Sequence, residues 1–155
     1  MPAKISWLIK DKVVLLEVIG HILIEELEQI AIVGEQIINE ADTPLLHLII
    51  EEKQLTDFPK NVPRAIKATK QTLAHSGLGW MVFVNIPNDV IAFVTKLILS
   101  AAKTRIHVAD SYEQAARMLM DVDCNLPDLQ PYAGYDKCIP LYEINGSRIT
   151  EYSLQ

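Results

Sequence analysis

Side chains able to carry chemistry are few in this chain, and they are scattered. The four histidines are His21, His47, His75 and His107. No two of them have the i, i+4 spacing that brings imidazoles together on one helix face around a metal. His47 sits inside an apolar run, where a hydrogen-bonded core histidine is the plain reading. Cys124 and Cys138 flank a Pro-containing stretch whose path is not fixed by the sequence, so neither a redox pair nor a metal site is supported. Glu51 and Glu52 are adjacent carboxylates of the kind that general acid–base chemistry uses. On a strand, however, neighbours point to opposite faces, which arranges them poorly as a pair. Gly77-Leu78-Gly79 precedes a strand, whereas a phosphate-cradling loop follows a strand and opens a helix; it reads as a helix stop. Asn145-Gly146-Ser147 spells a glycosylation acceptor, but a hairpin turn explains it without modifying machinery. No catalytic residue, metal ligand or cofactor is predicted.

Two surfaces remain. On a helical wheel Lys60, Arg64, Lys67 and Lys70 share one arc, opposite Val62, Ile66 and Leu73. No acidic residue interrupts the stretch from Lys60 to Gln71. Such a face either docks an anionic partner or headgroup, or is simply solvated. The second surface is the helix that begins near Val90, where Val90, Ile91, Phe93, Val94, Leu97, Ile98 and Ala101 span about half of the circumference. Phe93 and Leu97 would then line an apolar ligand pocket or a dimer face. The plainer expectation is a well-buried helix, partly covered by the C-terminal tail.

The elements that must position these residues follow from periodicity. Ile5, Trp7 and Ile9 alternate with polar neighbours, and Asp11-Lys12 turns the chain into Val13–Gly20, which predicts an opening antiparallel pair. Helical spacing runs from about Leu23 to Ala41, with Glu25, Glu26 and Glu28 at its favourable N-terminal end, and Asp42-Thr43-Pro44 stops it. Leu45–Ile50 is an apolar run of the kind covered on both faces of a sheet. A polar connection leads to the basic helix, then to a strand over Trp80–Ile86. Asn88-Asp89 caps the third helix, Ile106 and Val108 alternate in a strand, and Ser111 with Gln114 has capping-box spacing for a fourth helix. The predicted fold is α/β: a mixed sheet of four to five strands with an opening hairpin and about four helices over residues 1–124. Residues 125–155 form an extension rich in Tyr and Pro. Its Asn145-Gly146 predicts a type I′ β-hairpin, which must pack on the domain or on a neighbour to be stable.

Composition narrows the function classes. In 155 residues, 50% are hydrophobic, and 14 basic against 20 acidic side chains leave a net charge of −6. That balance disfavours nucleic acid as a partner. Two cysteines make no disulfide framework, no run reaches membrane-spanning length, and Lys10, Asp11 and Lys12 interrupt any signal-peptide pattern. A cytoplasmic protein is expected.

This order of elements resembles the STAS family and its anti-sigma-factor-antagonist-like relatives. Besides the opening hairpin, the resemblance rests on Gly20-His21-Ile22-Leu23 before the first helix, the Leu45–Ile50 strand, and the loop running into the second helix. In that family the loop commonly carries Asp-Ser-Ser/Thr-Gly, with one hydroxyl phosphorylated to switch partner binding. The matching stretch here is Asp57-Phe58-Pro59-Lys60. Asp57 keeps the aspartate, but Phe58 and Pro59 replace the hydroxyl residues, and Thr56 is out of register. The resemblance therefore implies a non-enzymatic regulatory or protein-interaction module without the phospho-switch. Its working surface would be Thr56–Lys70, with Asn85–Asp89 beside it, and its partner another protein or a second copy. The alternative is a binding protein for a lipid or a small apolar or anionic molecule.

Overall fold

The computed structural model describes residues 2–100 and 105–152, apart from the side chains of Val94, Ile98 and Leu99. The opening alternation forms β1 (Ala3–Ile9) and β2 (Val13–Val18), antiparallel about a turn in which Asp11 takes a positive φ of 62°. The chain then breaks at Gly20, also at positive φ, where the sequence had predicted one continuous strand. Gly20–His21 forms β3, which pairs in parallel with β5 (Leu55–Asp57) as a separate two-stranded ladder. Strands of two and three residues are too short to show a period, which is why the second segment reads as a polar connection.

Helix α1 (Ile24–Glu40) is followed by β4 (Leu46–Glu51), α2 (Val62–Leu73), β6 (Leu78–Val84), α3 (Asp89–Ser100), β7 (Arg105–Ala109) and α4 (Tyr112–Val122). A short 3-10 turn at Gln130–Tyr132 leads to β8 (Ile139–Asn145) and β9 (Arg148–Glu151). The main sheet has seven strands in the order β7-β6-β4-β2-β1-β8-β9. β2, β4, β6 and β7 run parallel, while β1, β8 and β9 add antiparallel pairings. Five of these strands come from residues before 124, and the tail hairpin extends the same sheet by pairing β8 with β1.

Strand alternation divides the core in two. Ile5, Val14, Leu16, Ile50, Met81 and Phe83 face α1, α2 and α3. Leu8, Leu15, Ile49, Val82 and Val84 face α4 and the tail, including Leu129, Tyr132, Tyr135 and Cys138. Residues 126–138 of the tail thus cover the sheet face opposite α3, while Leu141, Tyr142 and Ile144 of its hairpin join the other core. Val90, Phe93 and Leu97 are 72%, 63% and 39% exposed, which corrects the expectation of an α3 buried beneath the tail. Val94, Ile98 and Ala101 of that predicted face lie outside the described residues.

Local chemistry sets the ends. Asn61 and Asn88 cap α2 and α3 by accepting from the Arg64 and Ile91 N–H groups, at 3.2 and 2.9 Å. Ser111 caps α4 through Gln114 N, and the Gln114 amide reaches back to Asp110 N at 3.0 Å, one residue before the cap. The tail hairpin turns on Gly146-Ser147. Only Gly146 takes positive φ, at 63°, so the turn has type II′ character instead of the predicted type I′.

Candidate functional site

The loop entering α2 does not form one site with its basic helix. Thr56 is exposed on β5. The Asp57 carboxylate accepts from Phe58 N at 2.9 Å and lies 3.9 Å from His21 Nε2. Phe58 turns inward, Pro59 is buried, and Lys60 stands in the loop before α2, not on the helix. Arg64 reaches toward α1, with Nη2 3.5 Å from Glu28 and 3.8 Å from Glu25. Gln71 and Thr72 likewise bond to α1, at Glu35 and the Ala31 carbonyl. On the helical wheel Lys67 lies beside Arg64 and Gln71 on the outer side of α2, and Lys70 falls further from α1. Lys60, Lys67 and Lys70 are exposed and form no ion pair among the described residues. Phe93 and Leu97 occupy the outer side of α3, while Ile91 and Thr95 face inward.

Beneath α1, α2 and α3 lies a cavity of about 110 Å³, lined by apolar side chains from β2, β4 and β6 and by Phe58. Four polar residues, Glu52, Thr69, Thr72 and Thr95, border it, but its wall is almost wholly apolar. Glu52, 2% exposed, follows β4, and Thr95, 4% exposed, lies on α3. Neither Glu52 Oε2 nor Thr95 Oγ1 has a protein hydrogen-bond partner among the described residues. Burial, aided by the neighbouring Glu51 carboxylate, pushes the Glu52 carboxyl up to about 7. Leu97 and Phe93 do not line this cavity.

Glu51 points the other way, as strand alternation requires. Its carboxylate accepts from Tyr135 Oη at 2.8 Å, from Asn85 Nδ2 at 3.0 Å and from Lys53 N at 3.2 Å. Asn85 and Tyr135 both hold positive φ, at 57° and 66°. That conformation is uncommon for any non-glycine and costly for a bulky one, so the carboxylate fastens two strained residues. Burial and the Glu51 charge raise the Tyr135 phenol far above its ordinary range. Burial likewise lifts the Glu17 carboxyl beside it and takes the Cys138 thiol up to about 11.

His47 is the hydrogen-bonded core histidine that its apolar run predicts. Nδ1 accepts from Trp80 N at 3.0 Å, which assigns the proton of the neutral ring to Nε2, facing Asp123 Oδ2 at 2.8 Å. That bond holds the Asp123 carboxyl below its ordinary value. Gly79 lies within β6 and is not a helix stop. A Cβ there would meet His47 Nδ1 at 2.6 Å, so the bare backbone admits the ring.

Sequence reading missed Glu26, taken as one of three N-terminal charges on α1. It is 1% exposed and accepts from Leu23 N at 2.7 Å and Gly146 N at 2.8 Å, joining the start of α1 to the tail turn. Its spacing from Leu23 is that of a capping box, but an apolar Leu at the cap hid the signal. Among the described residues, no group of three or more His, Cys, Asp or Glu is placed to hold a metal ion, and no helix is long and apolar enough to cross a membrane.

Together the parallel β2-β4-β6-β7 ladder, the opening hairpin and the helices define a STAS-like α/β fold. Solved structures share it. The anti-sigma factor antagonist SpoIIAA in its unphosphorylated form aligns with a TM-score of 0.50 at 13% identity, covering 77% of this chain and 97% of that chain. An uncharacterized DUF3478-family protein from Shewanella loihica PV-4, with a SpoIIAA-like fold, aligns with a TM-score of 0.55 at 13% identity, covering 76% and 91%. No protein-family model and no curated protein matches the sequence.

Proposed function

We propose that the chain is a non-enzymatic regulatory module that binds a protein partner through the α2–α3 surface, without a phosphoryl switch at the loop before α2. The observation that carries this reading is the exposed stripe of Val90, Phe93 and Leu97. These residues repeat at helical spacing on one outer side of α3, which packs beside α2 and its exposed Lys67 and Lys70. An exposed aromatic among aliphatic neighbours is the usual anchor of an interface, and unpaired cations around it select the partner and steer its approach. The partner that fits offers an apolar ridge with an acidic rim. SpoIIAA, whose fold this chain shares, is described as an anti-sigma factor antagonist, and a protein-directed role here agrees with that. Pro59, standing where the resembling family carries a hydroxyl, has no atom to accept a phosphoryl group.

The test is capture of the endogenous partner by tagged wild-type protein, by Phe93→Ser and by the double variant Lys67→Glu/Lys70→Glu. The expected result is at least a tenfold loss of one captured protein in both variants, with Tm unchanged. Equal capture by all three would overturn the proposal. A homodimer that Phe93→Ser dissociates would reassign the surface to a second copy of the chain.

A further inference from the structure

We propose that the free edge of β9, with the groove between β8, β9 and the C-terminal end of α1, is a second docking site, which takes an extended basic segment of a protein partner as one more strand of the sheet. This edge lies at the far end of the sheet from β6, β7 and the α3 that joins them. It therefore does not rest on the role proposed for the α2–α3 surface.

The backbone comes first. β9 is the last strand of the sheet, and Arg148, Ile149, Thr150 and Glu151 are all exposed. Tyr152 N donates to the Leu141 carbonyl at 2.9 Å, so Tyr152 is a residue whose backbone turns toward β8. Antiparallel pairing alternates, and the N–H and C=O groups of Ile149 and Glu151 therefore turn to the open side. The strand holds no proline, and its register with β8 runs without a bulge. Those are devices that blunt an exposed edge. Ile149 and Thr150 are β-branched and favour the extended backbone that an added strand needs. β9 is thus a template on which a further strand can pair.

Charge then chooses the occupant. Ile149 and Glu151 stand opposite Ile144 and Tyr142 of β8, on the sheet face that packs against α1. There an open groove of about 620 Å³ lies between β9 and α1. Trp7 and Tyr142 line it, and it carries Asp11, Glu40 and Glu151 against one cation, Lys10. None of these charged groups forms an ion pair among the described residues. Burial, together with the Glu151 and Glu40 charges, raises the Tyr142 phenol, so carboxylates from β9 and from α1 act on one point of the groove. A strand added to β9 lays alternate side chains over this face. The one opposite Glu151 is Arg or Lys, and the one opposite Ile149, two residues away, is apolar. An acidic segment would meet like charges instead.

The probe is the acetylated and amidated peptide Thr-Arg-Thr-Val-Thr-Arg-Thr, titrated into the full-length protein at low salt and followed by amide NMR shifts. One control peptide has Glu in place of both Arg. The other keeps Arg but is N-methylated at Val and both Arg, which removes the N–H groups that an antiparallel partner turns toward β9. Saturable binding of the probe is expected, with shifts centred on Ile149, Thr150 and Glu151. Each control should bind at least about tenfold more weakly, the equivalent of one hydrogen bond to a charged group. Glu40→Gln/Glu151→Gln should weaken the probe by a similar factor at unchanged Tm, because both residues are exposed. Lys67→Glu/Lys70→Glu should not weaken it. Absence of saturable binding, equal binding of either control, or shifts confined to α2 and α3 would overturn the proposal. So would a dimer of the free protein, seen by sedimentation, that Ile149→Pro dissociates, since the edge would then belong to a second copy of the chain.

Discussion

Glu51 and Glu52 are covalent neighbours with opposite surroundings, and they stand for the two faces of the sheet. On the α4 side most buried polar groups are matched, Ser6 Oγ being an exception. Glu51 accepts from Tyr135, Asn85 and Lys53, His47 is held between Trp80 and Asp123, and the Tyr112 hydroxyl donates to the Leu129 carbonyl at 2.7 Å. On the α1–α3 side Glu52 Oε2 and Thr95 Oγ1 are buried without a protein partner among the described residues, and α3 exposes Val90 and Phe93. A satisfied polar network rigidifies a core, and removing one member strands the others. An unpartnered buried group costs stability. The difference separates a face tied together by several side-chain hydrogen bonds from one that carries an exposed apolar stripe.

The comparison is sharpest where one substitution on each face is set against the other. His47→Ala strands the Trp80 N–H and the Asp123 carboxylate and opens a hole. It should cost about 3–5 kcal/mol in urea denaturation. Glu52→Leu, equally buried, should leave stability unchanged or raise it by up to about 2 kcal/mol. Equal losses in the two variants would abolish the distinction between the faces.

The next effect is on pH dependence. Glu52 in the folded chain keeps its proton up to about pH 7, against an ordinary value of 4.5. Between those values the folded state binds more protons than the unfolded state, so stability falls as pH rises. The full decline is on the order of 3 kcal/mol. Glu52→Gln should remove it, visible as a flatter curve of unfolding free energy against pH over that window. A curve parallel to wild type would mean that Glu52 does not titrate as its burial requires.

Smaller again is Tyr135→Phe, which deletes one hydrogen bond to a carboxylate on the matched face and should cost about 2 kcal/mol. Its difference from Tyr132→Phe, measured in the same denaturation series, isolates the Glu51 contact. The least effect on stability belongs to Lys67→Glu/Lys70→Glu. Exposed charges with no ion pair should change it by no more than about 0.5 kcal/mol, whatever they do to association.

Much of this architecture is legible in the sequence, because period and capping are local. The alternation at Ile5–Ile9, the helical spacing in α1 and α2, and the Asn88 and Ser111 caps each depend on a few consecutive residues. Strand alternation was also enough to separate Glu51 from Glu52. Partnerships across the chain were not legible. Asp123 as the partner of His47, Gly146 as the partner of Glu26, and β8 as the neighbour of β1 all follow from packing that no window of sequence contains. The stripe on α3 misleads for the same reason: Val90, Phe93 and Leu97 look like core residues until the tail is found on the far side of the sheet. The orphaned state of Glu52 arises only when α1, α2 and α3 close over it.

The pairing of β1 with β8 sets a schedule for assembly. β2, β4, β6 and β7 pair in the order in which they are synthesised, each joined to the next through one intervening helix. β1 is made first, yet it gains its second neighbour only when Ile144 arrives opposite Ala3. Until then it is an edge strand, with a row of unpaired backbone groups open to other chains. Such distant pairing forms slowly. A nascent chain halted before residue 139 therefore exposes the β1 edge, an opening for association with other chains that the tail hairpin closes.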